Sequence, residues 1–382
     1  MRKIAGIFIL LISIAACKKP YDPPVIASNT SYLVVEGAIN PGADSTVIIL
    51  SHTVNISSTV TLNPVSGATV AVLSDQNTSY PLTETSTGNY VSPGLNLDNA
   101  YQYRLLIKTS DGKQYQSDLQ SVLITPPIDS VGFSVVSSTA KTGIQVYVNT
   151  HDATNSTKYY RWDYNEEWLF YTKYSSPYVS NGIKIVARQP SQNVTYCYTG
   201  GPSTNIFLGS SAKLSQNVIY QSPLIFIPST SERIEDKYSI LVRQYALTPE
   251  AYDFYTNLKK NTEQLGSIFD AQPSTEPGNI HCITNPAEAV IGYIGVSTVT
   301  EKRIFIAKDQ LPQWIPAYPY ACNLDTTRTQ GVTIQTLIDD PDIYYPIEAF
   351  GPPLNPSAYT FTGRECADCT IRGTVTPPPY WK

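Results

Sequence analysis

The chain has 382 residues, 42% of them hydrophobic, which gives room and apolar surface for two or three domains. Only 15% are charged, and 31 acidic residues outnumber 26 basic ones, so no basic patch exists to neutralise phosphates and a nucleic-acid partner is excluded. Low charge together with 28 Tyr and 29 Pro is the profile of an extracytoplasmic β protein.

The N-terminus opens with Arg2 and Lys3, then an apolar core over residues 4–14 that is too short for a comfortable membrane span. Ile14-Ala15-Ala16-Cys17 follows, an aliphatic residue, two small residues and a cysteine. This run resembles the bacterial lipobox, which makes residues 1–16 a signal peptide and Cys17 the site of lipid attachment, with palmitate-type chains. Lys18 and Lys19, in place of an aspartate after the cysteine, point to the outer membrane. Each buried methylene contributes about 0.8 kcal/mol, so two or three acyl chains make a permanent anchor. Residues 17–31, with Pro20, Pro23 and Pro24, read as an extended tether.

Residues 32–125 carry short alternating runs separated by turn signals at Asn40-Pro41-Gly42, Ser66-Gly67, Thr87-Gly88-Asn89 and Asp111-Gly112. Six or seven strands at this spacing predict an immunoglobulin-like or fibronectin-like β-sandwich. Pro126-Pro127 marks a boundary, and residues 126–382 read as a larger β-rich domain. Its most aromatic run spans 159–171, where Tyr160, Trp162 and Tyr164 share one face of a strand and Arg161 and Asp163 the other. Asn165-Glu166-Glu167 would turn the chain into the next strand. Tyr160, Trp162 and Trp168 are the aromatic candidates for contact with a ligand or partner.

One main helix is expected over about 249–265. Thr248 serves as N-cap, Pro249 fits the first helical position, and Glu250 suits the positive end of the dipole. Ala251, Phe254, Tyr255 and Leu258 form an apolar stripe, Asp253, Asn257, Lys259 and Lys260 a polar face, and Gly266 a stop. The overall class is therefore mainly β with a single main helix.

Composition bears against most catalytic chemistry. The three histidines, His52, His151 and His281, are not spaced as a metal pair, and no H-E-x-x-H, G-x-S-x-G, G-x-G-x-x-G or phosphate-loop motif occurs. Glu166 and Glu167 beside Trp168 suggest a sugar site, but adjacent residues of a strand point to opposite faces and cannot flank one bond. With Cys17 taken by lipid, five cysteines remain, so one is left over after pairing in an oxidising compartment. Cys366-Ala367-Asp368-Cys369 lacks the helix of a redox site and the second C-x-x-C of a zinc ribbon, so no metal or other cofactor is expected. Cys366 and Cys369 are expected to staple the C-terminal segment to earlier loops, with Cys282 and Cys322 as partners.

Several runs taken together carry a family resemblance: Leu33-Val34-Val35-Glu36-Gly37, Tyr159-Tyr160-Arg161-Trp162, Thr248-Pro249-Glu250-Ala251-Tyr252, Gly266-Ser267-Ile268-Phe269-Asp270, Gly278-Asn279-Ile280, Gly292-Tyr293-Ile294-Gly295 and the terminal Cys366-Ala367-Asp368-Cys369. The chain resembles Bacteroidetes outer-membrane lipoproteins built on a domain of unknown function, commonly encoded beside TonB-dependent receptors. That resemblance implies a β-rich lipoprotein with a transport receptor as neighbour, and brings no catalytic residues with it. The expected function is a non-enzymatic accessory or ligand-binding protein held to the membrane by its N-terminal lipid. The alternatives are a surface hydrolase acting on glycans or peptides, and a structural or adhesive envelope protein.

Overall fold

The computed structural model describes residues 31–54, 59, 62–263, 278–327 and 331–381. The signal segment, Cys17, most of the tether and the run from Gly266 to Asp270 lie outside the described residues. The protein is mainly β, 46% strand against 11% helix. Among the described residues no helix is long and apolar enough to cross a membrane.

Period-two alternation builds the first unit. Strand Leu33–Ala38 turns Leu33 and Val35 inward, and strand Thr46–His52 turns Ile48 and Leu50 inward while leaving Val47 and Ile49 on the outer face. These strands belong to a ten-stranded sheet whose main path runs 280–282, 114–117, 102–108, 69–74, 79–86, 89–92, 46–52, 33–38, 290–291, with 120–121 paired to 102–108 off that path. The two ends of that path, Ile280–Cys282 and Val290–Ile291, come from one short segment and lie against each other, so the sheet curls around its core almost to closure.

The boundary expected at 125 therefore needs correction. Residues 280–296 leave the second half, pair with Gln114–Ser117 and Leu33–Ala38, and place Ile280, Cys282, Val290, Ile294 and Val296 in the first core. The reason is that strands 33–38 and 114–117 would otherwise present rows of unpaired N–H and C=O groups. Two connections thus run side by side between the units. Leu123 N donates to Val296 O at 2.9 Å, Thr298 N to Leu123 O at 3.0 Å, and Thr125 N to Thr298 Oγ1 at 2.8 Å.

In the second unit a three-stranded sheet, 218–228, 142–151 and 128–137, faces a five-stranded one whose main path is 196–202, 159–171, 237–247 and 299–307. Tyr159–Tyr171 is one unbroken strand, paired through Trp168 with Tyr238 to Leu247, so the turn expected at Asn165-Glu166-Glu167 does not form. Cross-strand pairing on both sides outweighs the weak β-propensity of those three polar residues. Tyr160, Trp162, Tyr164, Tyr238, Ile240 and Val242 fill the space between the sheets.

Gln244 is wholly buried in that space. Its Oε1 accepts from Trp162 Nε1 at 2.8 Å, and its Nε2 donates to Pro126 O at 2.8 Å and to Thr150 Oγ1 at 3.0 Å. One amide thereby ties both sheets to the inter-unit connection.

The helix spans Pro249–Glu263, with Ala251 N donating to the Thr248 hydroxyl at 3.2 Å as an N-cap should. Ala251 and Phe254 are buried against Tyr293 of the returning segment, so the helix fastens the second unit to the first. Lys259 is not on a free polar face: its Nζ donates to Ile206 O at 2.6 Å, tying the helix to loop 202–206.

The C-terminal part forms a small sheet, 325–326, 358–363 and 344–350, around Leu337, Tyr359 and Phe361. Two disulfides hold it to the rest, Cys197–Cys369 and Cys322–Cys366, each with its Cα atoms 5.6 Å apart. Cys366 and Cys369 do bridge to separate earlier positions, and Cys322 is one of them. The expected Cys282 is not the other. It lies in an edge strand opposite Tyr115, buried in the first unit's core as a free thiol, whereas Cys197 points from strand 196–202 into a pocket shared with Phe170 and Cys369. Beyond the staples the tail ends on the outer face of the five-stranded sheet. There Arg303 lies 3.5 Å from the centre of the Tyr380 ring, and Trp381 meets Phe305 and Tyr198 edge-on.

Two outcomes follow from this architecture. Gln244→Leu strands Trp162 Nε1 at about 1–3 kcal/mol and removes one bond each from Pro126 O and Thr150 Oγ1, which keep Thr300 Oγ1 and Pro127 O as partners, so urea unfolding should show a loss of stability; an unchanged midpoint would contradict this role of Gln244. Mass spectrometry of non-reduced peptides should recover 197–369 and 322–366 linkages and an alkylatable Cys282 only after denaturation. A Cys282 linkage would overturn this pairing.

Candidate ligand-binding cleft

The face of the 159–171, 237–247 and 299–307 strands that turns away from their core is polar. Register sets Arg161 opposite Tyr245, Asp163 opposite Arg243, and Arg243 opposite Glu301. Because Tyr160, Trp162 and Tyr164 take the inner face, alternation forces Arg161, Asp163 and Asn165 onto the outer one. The end of this face nearest the helix, the helix itself and the outer face of strands 33–38 and 46–52 enclose a cleft of about 950 Å³.

Its first wall is apolar. Val47 and Ile49 stand 41% and 36% exposed, more than strand aliphatics with a core to enter, and they line the cleft with Ile291. The helix contributes Phe254, Tyr255 and Leu258. Loop 202–206 closes one side, pinned by Lys259 and by Ile206 N donating to Glu263 Oε1 at 2.6 Å. At the floor, backbones touch. Gly292 has φ +146°, and a Cβ there would run into the Val35 carbonyl oxygen, while one on Gly278 would run into the carbonyl of Gly292.

The polar wall is organised around two guanidiniums. Arg243 is engaged within the protein, its Nε donating to Asp163 Oδ1 at 2.6 Å and its Nη2 to Asn165 Oδ1 at 2.5 Å. Arg161 instead lies against two rings, 4.3 Å from the centre of Tyr245 and 5.2 Å from that of Tyr255. Burial, reinforced by Asp163, pushes the Tyr245 hydroxyl up to about 12, so it remains a neutral donor at physiological pH. Fixed donors, aromatic faces and an apolar wall make this a place for binding.

The aromatic residues expected to meet a ligand are elsewhere. Tyr160 and Trp162 are 0% and 1% exposed on the inner face, stacked on each other with ring centres 5.8 Å apart. Trp168 is half-buried beneath Arg233, whose guanidinium lies 5.1 Å from its ring. This is a correction: bulky aromatic residues on a strand with one buried face take that face, because burying them contributes most. Glu166 and Glu167 are on opposite faces as alternation requires. Glu166 is buried, accepts from Tyr238 OH at 2.8 Å and pairs with Arg233 at 3.1 Å, while Glu167 sits 3.5 Å from Arg303. Burial holds the Glu166 carboxyl above its usual range despite Tyr238 and Arg233. His151 and His281 rest on the exposed carboxylates of Asp129 and Asp118. Arg161, Arg243, Tyr245 and Tyr255 were not among the sequence candidates; the available signal was the alternation that set Arg161 and Asp163 opposite the aromatic face.

Gly292→Ala should strain the floor of the cleft by at least about 1–3 kcal/mol from backbone conformation alone, with the Val35 clash added. Thermal unfolding should show the loss, and a variant as stable as the wild type would mean that this close approach is not needed.

Comparison with known proteins adds little about activity. No curated protein matches the chain. Among solved structures, the chitinase ChiA74 from Bacillus thuringiensis is similar at 13% identity over 53% of this chain and 29% of that one; its TM-score of 0.16 carries no argument. The small C-terminal sheet and stapled tail fall outside the family match, which ends at 303. Since residues 18–303 match and contain both walls of the cleft, the chain belongs to the family described as Domain of unknown function (DUF4249).

Proposed function

We propose that this protein is a non-enzymatic outer-membrane lipoprotein that holds a ligand in the cleft between its two units and works beside a TonB-dependent receptor. The observation that carries the reading is the cleft itself, where Val47 and Ile49 of the first unit and the helix residues Phe254 and Leu258 face the polar strand surface of the second unit. Exposed Val47 and Ile49 give a ligand apolar surface to cover, and Arg243, Asp163 and Asn165 hold one another in place before any ligand arrives. The lipobox ending at Cys17 and the resemblance to receptor-associated lipoproteins support the anchor and the neighbour.

A surface hydrolase has less support. Glu166, whose carboxyl burial holds above its usual range, faces the core rather than the cleft, and Glu167 is on the opposite side of the strand. Turnover of a glycan or peptide panel that is lost in Glu167→Gln would favour it nonetheless.

Two measurements test the proposal. Labelling with a fatty-acid analogue should mark the wild type and not Cys17→Ser, and equal labelling would remove the anchor. The full-length protein in non-ionic detergent should bind members of a panel of oligosaccharides and short peptides, and Val47→Trp, which fills the cleft from an exposed position, should reduce that binding. Binding that Val47→Trp leaves untouched would place the ligand elsewhere.

A further inference from the structure

The two guanidiniums of the cleft differ in what they have left to give. An arginine carries five N–H donors in a planar fork. Arg243 uses its fork on Asp163 and Asn165. Arg161 makes no hydrogen bond among the described residues, and its one ion pair is a long contact, Nη2 to Asp163 Oδ2 at 3.8 Å. Asp163 is already taken by the 2.6 Å bond from Arg243, so two cations share one carboxylate at the centre of this wall. The Arg161 side chain is 21% exposed, and it lines the cleft.

Its orientation is fixed all the same. Strand pairing sets Arg161 opposite Tyr245, and the helix brings the Tyr255 ring to 5.2 Å from the guanidinium, with Tyr255 OH reaching Tyr293 O at 3.5 Å. A guanidinium held against two rings while its N–H groups donate no hydrogen bond to a described residue is ordered with its fork still available, so the entropy of ordering it is lost on folding rather than on binding. A planar fork with an open edge matches a carboxylate, which it can hold through two parallel hydrogen bonds. Around it, Val47, Ile49, Phe254 and Leu258 offer apolar surface, whereas Glu36, Asp44 and Glu301 are exposed and would repel a second anionic group.

Building on the ligand-binding reading above, we propose that the cleft takes a carboxylate borne on an apolar body, with Arg161 as its anchor. The C-terminus of an apolar peptide and a small aryl or alkyl carboxylic acid share this chemistry.

Matched acid and amide probes test it by calorimetry on the full-length protein in non-ionic detergent. The pairs are N-acetyl-leucyl-leucine with its C-terminal amide, and hydrocinnamic acid with hydrocinnamamide. At least one acid should bind roughly tenfold or more tightly than its amide, the scale of a charge-assisted bidentate contact. The pair that shows the preference identifies the source, peptide end or free acid. Arg161→Gln should erase the preference, and Arg161→Lys, which keeps the charge without the fork, should retain part of it; an unchanged circular dichroism spectrum and melting temperature certify the fold of each. Equal binding of acid and amide, or a preference that survives Arg161→Gln, overturns the anchor. So does failure of every probe to bind. In those cases uncharged oligosaccharide binding that Val47→Trp blocks would leave the cleft standing as a binding site, and its absence would remove both readings.

Discussion

The amide of Gln244 is the constraint on which the second unit depends. It is buried between two sheets with its oxygen and both N–H groups engaged, on Trp162, Thr150 and the carbonyl of Pro126. A strand that slipped by one residue would break these bonds, leave Trp162 Nε1 unpaired and send every side chain to the wrong face. Satisfaction of Gln244 therefore selects the register in which Tyr160 and Trp162 face inward. By the same alternation it selects the register in which Arg161 and Asp163 face the cleft. A polar residue in the core specifies the geometry of a polar wall on the surface.

The cleft exists because the chain, after leaving the first unit at Pro126, returns to it over residues 280–296. Had residues 280–296 stayed with the second unit, one flexible connection at Pro126 would join two bodies. The returning segment instead supplies both edge strands of the first sheet, and Tyr293 within it packs under Phe254 of the helix. The floor at Gly278, Gly292 and Val35 brings backbone against backbone with no side chain between. Closing the sheet and positioning the two walls are thus the same structural event.

The polar face of the second unit is divided along its length. One end opens into the cleft, and the other is covered by the tail, where Arg303 stacks on Tyr380 and Lys237 approaches both Phe305 and Trp381. Two disulfides hold the segment before this tail. The longer loop spans 172 residues in sequence and ties Cys369 to strand 196–202, the neighbour of the strand that carries Arg161. A cross-link closing so long a loop restricts the unfolded chain strongly, by the entropic account about 4–5 kcal/mol. Three consecutive prolines, which cannot join a ladder, are bracketed by residues that meet the sheet, Thr374 bridged to Tyr198 and Trp381 packed on Phe305.

Features under local physical control are legible along the chain. Alternation every second residue identified most of the main strands and the mainly-β class, and Thr248-Pro249-Glu250 identified where the helix begins. It also separated Arg161 and Asp163 from Tyr160, Trp162 and Tyr164, although the ligand role was assigned to the aromatic side. Cysteine number required one free thiol without saying which. The tertiary structure decided which face of the 159–171 strand is covered, that residues 280–296 belong with the first sheet, and that Cys197 rather than Cys282 meets Cys369. Each of these is a pairing between residues far apart in the chain. No side chain near Cys197 or Val290 encodes its partner; that follows from which edges and apolar faces the whole fold must cover.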